Sequence, residues 1–173
     1  MAISSPDGDV TMGMERVDTG KDLISPSSGY TDWVGTIPVT GAYQLIISTN
    51  NPDTYYFLML EIPANIFFET GATSETISGY VEVFQDFHPD VITRVRYMAY
   101  AREDQTMEIS LGSPNLDSLA IGVIGQSDGK EYINYEVKSN HFEMDLPSTQ
   151  GYFIDIYSVG GVSTDFSLQV EIE

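Results

Sequence analysis

Thr164-Asp-Phe-Ser-Leu-Gln-Val-Glu-Ile172 decides the fold. Phe166, Leu168, Val170 and Ile172 fall on one face. Ser167, Gln169, Glu171 and Glu173 fall on the other. Apolar residues with period two, backed by a polar face, read as a half-buried antiparallel strand. Working back toward the N-terminus, the same grammar repeats. Strands are expected at Tyr152–Ser158, His141–Leu146, Glu131–Val137, Leu119–Ile124, Thr106–Leu111, Val91–Arg102, Thr76–Phe84, Thr54–Ile62 and Ala42–Ser48. Asp128-Gly129 fits a tight hairpin turn, and Thr49-Asn-Asn-Pro-Asp53 is a second strong turn. No stretch of helical length carries apolar residues at spacing 3, 4, 7. Some ten short strands divided by Gly, Pro and Asn predict an all-β chain. The expected architecture is an antiparallel β-sandwich, jelly-roll-like or immunoglobulin-like.

Residues 1–29 look different. They are polar and punctuated by Pro6, Gly8, Gly13, Gly20, Pro26 and Gly29. They are expected to form an irregular N-terminal arm, with the sandwich spanning residues 30–173.

The 173 residues are ample for a hydrophobic core, and 42% of them are hydrophobic. There are 26 acidic and 7 basic side chains, for a net charge of -19. The charge is spread evenly: 2 basic and 12 acidic over residues 1–87, then 5 and 14 over 88–173. Such a coat argues against nucleic acid and anionic membranes as partners, since both are bound by clustered Lys and Arg. The absence of cysteine excludes disulfides, thiol catalysis and Cys-ligated metals. Two histidines, His88 and His141, exclude a His-rich metal site. Met1–Asp9 has neither a basic nor an apolar leader region, so no signal peptide is expected. Tyr55–Leu60, the longest apolar stretch, is too short to span a bilayer.

One hairpin plan occurs twice. Ile37-Pro-Val-Thr-Gly-Ala-Tyr43-Gln-Leu-Ile-Ile47 aligns with Leu146-Pro-Ser-Thr-Gln-Gly-Tyr152-Phe-Ile-Asp-Ile156. With one inserted residue, Tyr56, Leu58, Leu60, Glu61 and Ile62 fall on Phe166, Leu168, Val170, Glu171 and Ile172. Proline stops a ladder, glycine allows a corner, and tyrosine buries its ring where the strand enters the sandwich. Common ancestry of the two hairpins and convergence on corner grammar both account for the echo. Residues 115–172, with Asn115-Leu-Asp-Ser-Leu-Ala-Ile121, the Ser127-Asp-Gly129 turn and the second hairpin, resemble the closing half of bacterial pre-peptidase C-terminal domains. That resemblance implies an accessory, non-catalytic β-sandwich and assigns no functional residues.

Candidate site residues follow from charge and aromaticity. Lys and Arg are absent from Asp22 through Asp90, and then Arg94, Arg96 and Arg102 arrive within nine residues. Arg94 and Arg96 are two apart and share a strand face. They suit carboxylates of a neighbouring subunit, or cross-strand pairing with the chain's own acids. Trp33 is the sole tryptophan and sits near Tyr30. The two invite sugar stacking, or ordinary core and interface packing. Asp7-Gly-Asp9 lacks the remaining ligands of a Ca²⁺ loop. No Gly-x-Ser-x-Gly elbow, His-Glu-x-x-His pair or Walker loop is present.

No cofactor and no catalytic residue are assigned. The expected function is a non-enzymatic structural component of a large assembly, a virion: a capsid decoration, vertex or tail-associated protein. Made in the host cytoplasm, it would bind capsid or other subunits and form a homo-oligomer, its arm draped over a neighbour. The alternative is a module that binds carbohydrate or another surface polymer. A carboxylate hydrolase would need two acids set about 5 to 9.5 Å apart in a cleft.

Overall fold

The computed structural model describes residues 1–33, 37–83 and 93–173. His88, its neighbours Asp86 and Asp90, and the expected strand ends at Phe84 and Val91 lie outside the described residues. The chain divides into two compact units, Met1–Glu61 and Ile62–Glu173.

The first unit corrects the expectation of an irregular arm. It holds β1 (Ala2–Ser4), β2 (Val10–Arg16), β3 (Lys21–Ile24), β4 (Tyr43–Thr49) and β5 (Phe57–Met59). One sheet has the order β3-β2-β4, and β1 pairs with β5 in another. All these pairings are antiparallel. β2 pairs with β4 from Val10↔Thr49 to Arg16↔Tyr43, so residues on both sides of the expected boundary at 29 share one ladder. Ile3, Val10 and Met12 are buried together, with Met1, Trp33 and Ile47 packed against them. The glycines that suggest irregularity are turn and contact residues. Gly8 and Gly20 adopt the left-handed conformation that favours glycine. At Gly13 a Cβ would lie 2.7 Å from Pro26 Cγ, closer than any side chain tolerates.

The second unit contains β6 (Ala64–Asn65), β7 (Ser74–Val81), β8 (Arg94–Ala101), β9 (Thr106–Gly112) and β10 (Leu119–Gly125). β11 (Glu131–Ile133), β12 (His141–Asp145), β13 (Gln150–Ser158) and β14 (Thr164–Ile172) follow. They form a five-stranded sheet, β11-β10-β13-β8-β6, and a four-stranded sheet, β12-β9-β14-β7. Numbered one to eight from β7 to β14, the strands lie 2-7-4-5 in one sheet and 1-8-3-6 in the other. This is the order of a jelly roll, and it decides between the two sandwich types. β6 extends the first sheet by parallel pairing with β8.

Both sheets contribute to one core. Tyr97, Ala99, Ile121, Ile154 and Ile156 come from one, and Met107, Ile109, Leu168 and Val170 from the other. The Tyr97 and Phe166 rings meet edge to face at 6.3 Å. Phe166, Leu168, Val170 and Ile172 are all buried, as the alternation requires. Several expected strands are shorter than the sequence suggests, two of them by more than half. Of Thr54–Ile62 only Phe57–Met59 pairs. Glu131–Val137 stops at Ile133, because Asn134 caps a short 3-10 turn by accepting a hydrogen bond from the Glu136 N–H.

Candidate functional site

Strand alternation sorts the second unit's side chains between the core and the outer sheet face. On β13, Tyr152, Ile154 and Ile156 belong to the core. Phe153, Asp155 and Tyr157 alternate with them and take the other face. β8 pairs with β13 so that Arg96 lies opposite Asp155 and Arg94 opposite Tyr157. The result is a compact polar cluster. Arg96 donates from Nε and Nη2 to the two Asp155 oxygens, each at 2.6 Å. The Tyr157 hydroxyl donates to Asp155 Oδ2 at 3.0 Å. Arg94 Nη1 donates to the Tyr157 hydroxyl at 3.3 Å and lies 3.5 Å from Asp155 Oδ2. The Arg96 guanidinium sits 4.7 Å above the Phe153 ring. Tyr135, in the 3-10 turn after β11, places its ring 5.1 Å from that of Tyr157. Gly122 faces Asp155 across the β10–β13 pair, where a Cβ would lie 2.7 Å from the Tyr157 ring.

Asp155 is 0% exposed, and the Arg96 and Arg94 side chains 9% and 24%. The carboxylate is buried without loss of partners, as a buried charge must be. Burial raises the Tyr157 hydroxyl above its ordinary value, and the Asp155 charge adds to the effect. This arrangement locks the register of β8 against β13. Arg96, considered as a contact for a foreign carboxylate, holds a carboxylate of its own chain.

Arg102 does not join this cluster. It lies just past β8, where its N–H donates to Gln105 Oε1 at 2.8 Å. Six residues of extended chain separate it from Arg96, about 20 Å at the rise of a strand. Trp33 and Tyr30 belong to the first unit. Trp33 packs against the buried Ile3, Val10 and Met12. Its carbonyl accepts a hydrogen bond from the Met1 amino group at 2.8 Å. Tyr30 is exposed, and its carbonyl accepts the Met12 N–H.

The smaller candidates resolve into local structure. The Asp9 carboxylate accepts from Ser5 Oγ and Thr49 Oγ1, and Asp7 from Asn51 Nδ2, tying two turns of the first unit together. Among the described residues, no three His, Asp or Glu side chains are grouped to hold a metal ion. His141 lies on an exposed strand, with Nδ1 3.9 Å from Glu108 Oε1. Asp128 shapes the β10–β11 hairpin. Its carboxylate accepts from the Lys130 N–H, the Tyr132 hydroxyl and Gln150 Nε2, which hold it below the ordinary carboxylate range. Burial and the Asp128 charge push Tyr132 up to about 12. An open hollow of about 280 Å³ between Gly112–Pro114 and Asp165–Ser167 has Asp165 as its one titratable lining group.

The repeated corner is real in geometry, but neither copy is the expected hairpin: β13 and β14 lie in different sheets, and so do β4 and β5. The Tyr43 hydroxyl donates to the Val39 carbonyl at 2.8 Å, and the Tyr152 hydroxyl donates to the Ser148 carbonyl at 2.6 Å. These are equivalent positions in the two copies. In the jelly roll, β13 pairs with β8 and β10, and β14 with β7 and β9. In the first unit, the equivalent β4 pairs with β2, and β5 with β1. Among the described residues, the first unit therefore has strand pairs equivalent to the opening and closing pairs of a jelly roll, with β3 on the far side of β2 and no strand beside β4 where β10 lies beside β13.

In and beside β5, apolar side chains are exposed. Tyr55 is 64% exposed and Leu60 54%, with Tyr56, Leu58 and Met59 exposed between them. Reading the sequence for charge and tryptophan passes over this row. Its signal is the apolar run Tyr55–Leu60, which does not alternate as a half-buried strand would.

No protein-family description matches the chain, and no curated protein matches it. Among solved structures it is similar to the periplasmic inhibitor of g-type lysozyme, PliG, from Aeromonas hydrophila. The two share 18% identity at a TM-score of 0.49, over 64% of this chain and 96% of that one. PliG of Salmonella Typhimurium gives 16% identity and a TM-score of 0.44, over 64% and 97% of the two chains. The pre-peptidase C-terminal domain of collagenase from Bacillus anthracis gives 16% and 0.47, over 66% and 100%. The last belongs to the family that residues 115–172 resemble. These are bacterial proteins, the inhibitors periplasmic by name, and the expected location in a virion does not stand against that finding.

Proposed function

We propose that the chain is a non-enzymatic β-sandwich module that binds a protein partner through its first unit. The observation that carries this reading is the exposed row Tyr55, Tyr56, Leu58, Met59 and Leu60 in and beside β5. Contiguous apolar and aromatic side chains on a folded surface are characteristic of protein interfaces. In a chain of charge -19, a row without a charged side chain from Tyr55 to Leu60 is also where contact meets least electrostatic opposition. The placement of Trp33 favours this over sugar stacking, since its ring serves the first unit's own core.

The test is cross-linking and affinity capture from the source cells, with the wild-type chain beside a Tyr55→Ser/Leu60→Ser variant. Both positions are exposed, so folding should be unchanged. A defined protein should be retained by the wild type and lost by the variant. Retention of nothing, or retention indifferent to the two changes, would refute the reading.

A further inference from the structure

The open edge of β4 points to a specific kind of partner. The Ala42 carbonyl accepts the Val17 N–H, and the Met12 N–H turns away from β4 to the Tyr30 carbonyl. Residues of an antiparallel strand direct their backbone groups alternately to the two sides. Gln44, Ile46 and Ser48 therefore spend theirs on β2, while Tyr43, Leu45, Ile47 and Thr49 direct theirs to the other edge. Among the described residues no strand pairs with that edge. At the equivalent edge of β13, the jelly roll places β10 in an antiparallel pair.

Exposed edges are normally guarded by charge, proline or shortness. The other outer strands follow that rule. β3 carries Lys21 and Asp22, β7 Glu75, β11 Glu131, and β12 Glu143 and Asp145. β1, β5 and β6 have three residues or fewer. β4 is seven residues long and has neither charge nor proline.

We infer that the occupant of this edge is β4 of a second copy of the chain, in an antiparallel pair about a twofold axis at Ile46. This goes beyond the reading of a protein-binding module, since it concerns the edge of β4 and not the row Tyr55–Leu60. The strand is self-complementary in that register. Leu45 lies opposite Ile47 of the second copy on the core face, and Tyr43 opposite Thr49. On the outer face Gln44 lies opposite Ser48, and Ile46 opposite itself. Leu45 and Ile47 are the residues whose backbone groups face the open edge, so each such pair exchanges two hydrogen bonds. No like charges meet within the pair. The remaining charge on both copies opposes approach, so added salt strengthens the dimer.

Sedimentation velocity and native mass spectrometry of the full chain test this across concentration, at low and high salt. A dimer strengthened by salt is expected. Gln44→Lys/Ser48→Lys sets lysines opposite one another twice, and Gln44→Glu/Ser48→Glu does the same with acids. Each variant should dimerise roughly tenfold more weakly than the wild type. An equimolar mixture of the two should recover a mixed dimer at least as tight as the wild type, because Lys then faces Glu. Circular dichroism checks that each variant is folded. A wild type that is monomeric throughout overturns the inference, as does a dimer indifferent to both variants or a mixture without recovery. A monomer that still captures a protein through Tyr55 and Leu60 overturns the second-copy assignment and leaves the protein-binding reading standing.

Discussion

At the scale of single residues, Asp128 shows how a turn acid becomes a pH-sensitive part of the fold. Three donors hold its carboxyl below the ordinary carboxylate range. A carboxylate lowered in the folded state contributes stability that is present above its unfolded value and is lost as pH falls through its folded value. Gly129, left-handed, closes the same turn. Tyr132 works in the opposite sense. Its value of about 12 means that the neutral phenol is favoured, so its contribution is full below its ordinary value near 10 and is lost as pH rises through 12. Asp128→Asn should therefore reduce the fall in stability at acid pH, read as the urea midpoint against pH. An acid limb identical to that of the wild type would show that the carboxylate contributes nothing. The residues Asp128 and Gly129 were legible in sequence as a turn. The Gln150 partner was not, because it reaches the turn from β13, 22 residues on; Tyr132 is four residues on, in the hairpin's own second strand.

At the scale of elements, β8 and β13 are joined by side chains as well as by their ladder. Asp155 is buried on a strand face that the sequence alternation would leave polar and wet. Replacing one member of a buried ion pair leaves the other charge uncompensated, at about 3–5 kcal/mol. Asp155→Asn should lower unfolding stability by about that amount, measured by denaturant titration. A change within about 0.5 kcal/mol, typical of surface substitutions, would mean that Arg94 and Arg96 find equivalent partners elsewhere. The strand carrying Arg94 and Arg96 was readable, and so was their shared face. The identity of the acid was not, since Asp155 is one of 26 acidic side chains and lies 59 residues from Arg96. The N-terminal strands were missed for a related reason. β2, Val10–Arg16, alternates Val, Met and Met with small and polar residues, and its burial depends on β4 and Pro26 lying over it.

At the scale of the whole molecule, the described residues form an eight-stranded jelly roll in the second unit and a smaller set of sheets in the first. The second unit has its own two sheets and a shared core, so residues 62–173 expressed alone should unfold in a single cooperative transition. A non-cooperative melt followed by circular dichroism would show that its core is not self-sufficient. By itself the sequence determined the all-β class, most strand positions and the repeated Pro-to-Tyr corner, because period-two alternation, turn residues and the Pro-to-Tyr spacing are local properties of the chain. It also determined an evenly acidic surface with one arginine cluster. Only the tertiary structure decided the jelly-roll order, the pairing of Arg96 with Asp155 and the strands within residues 1–29. It alone showed that the two strands of each copy enter different sheets, and that among the described residues β4 lacks the second neighbour that β13 has in β10. These are facts about which strands meet, and a strand's local pattern states that one face is buried without naming what covers it.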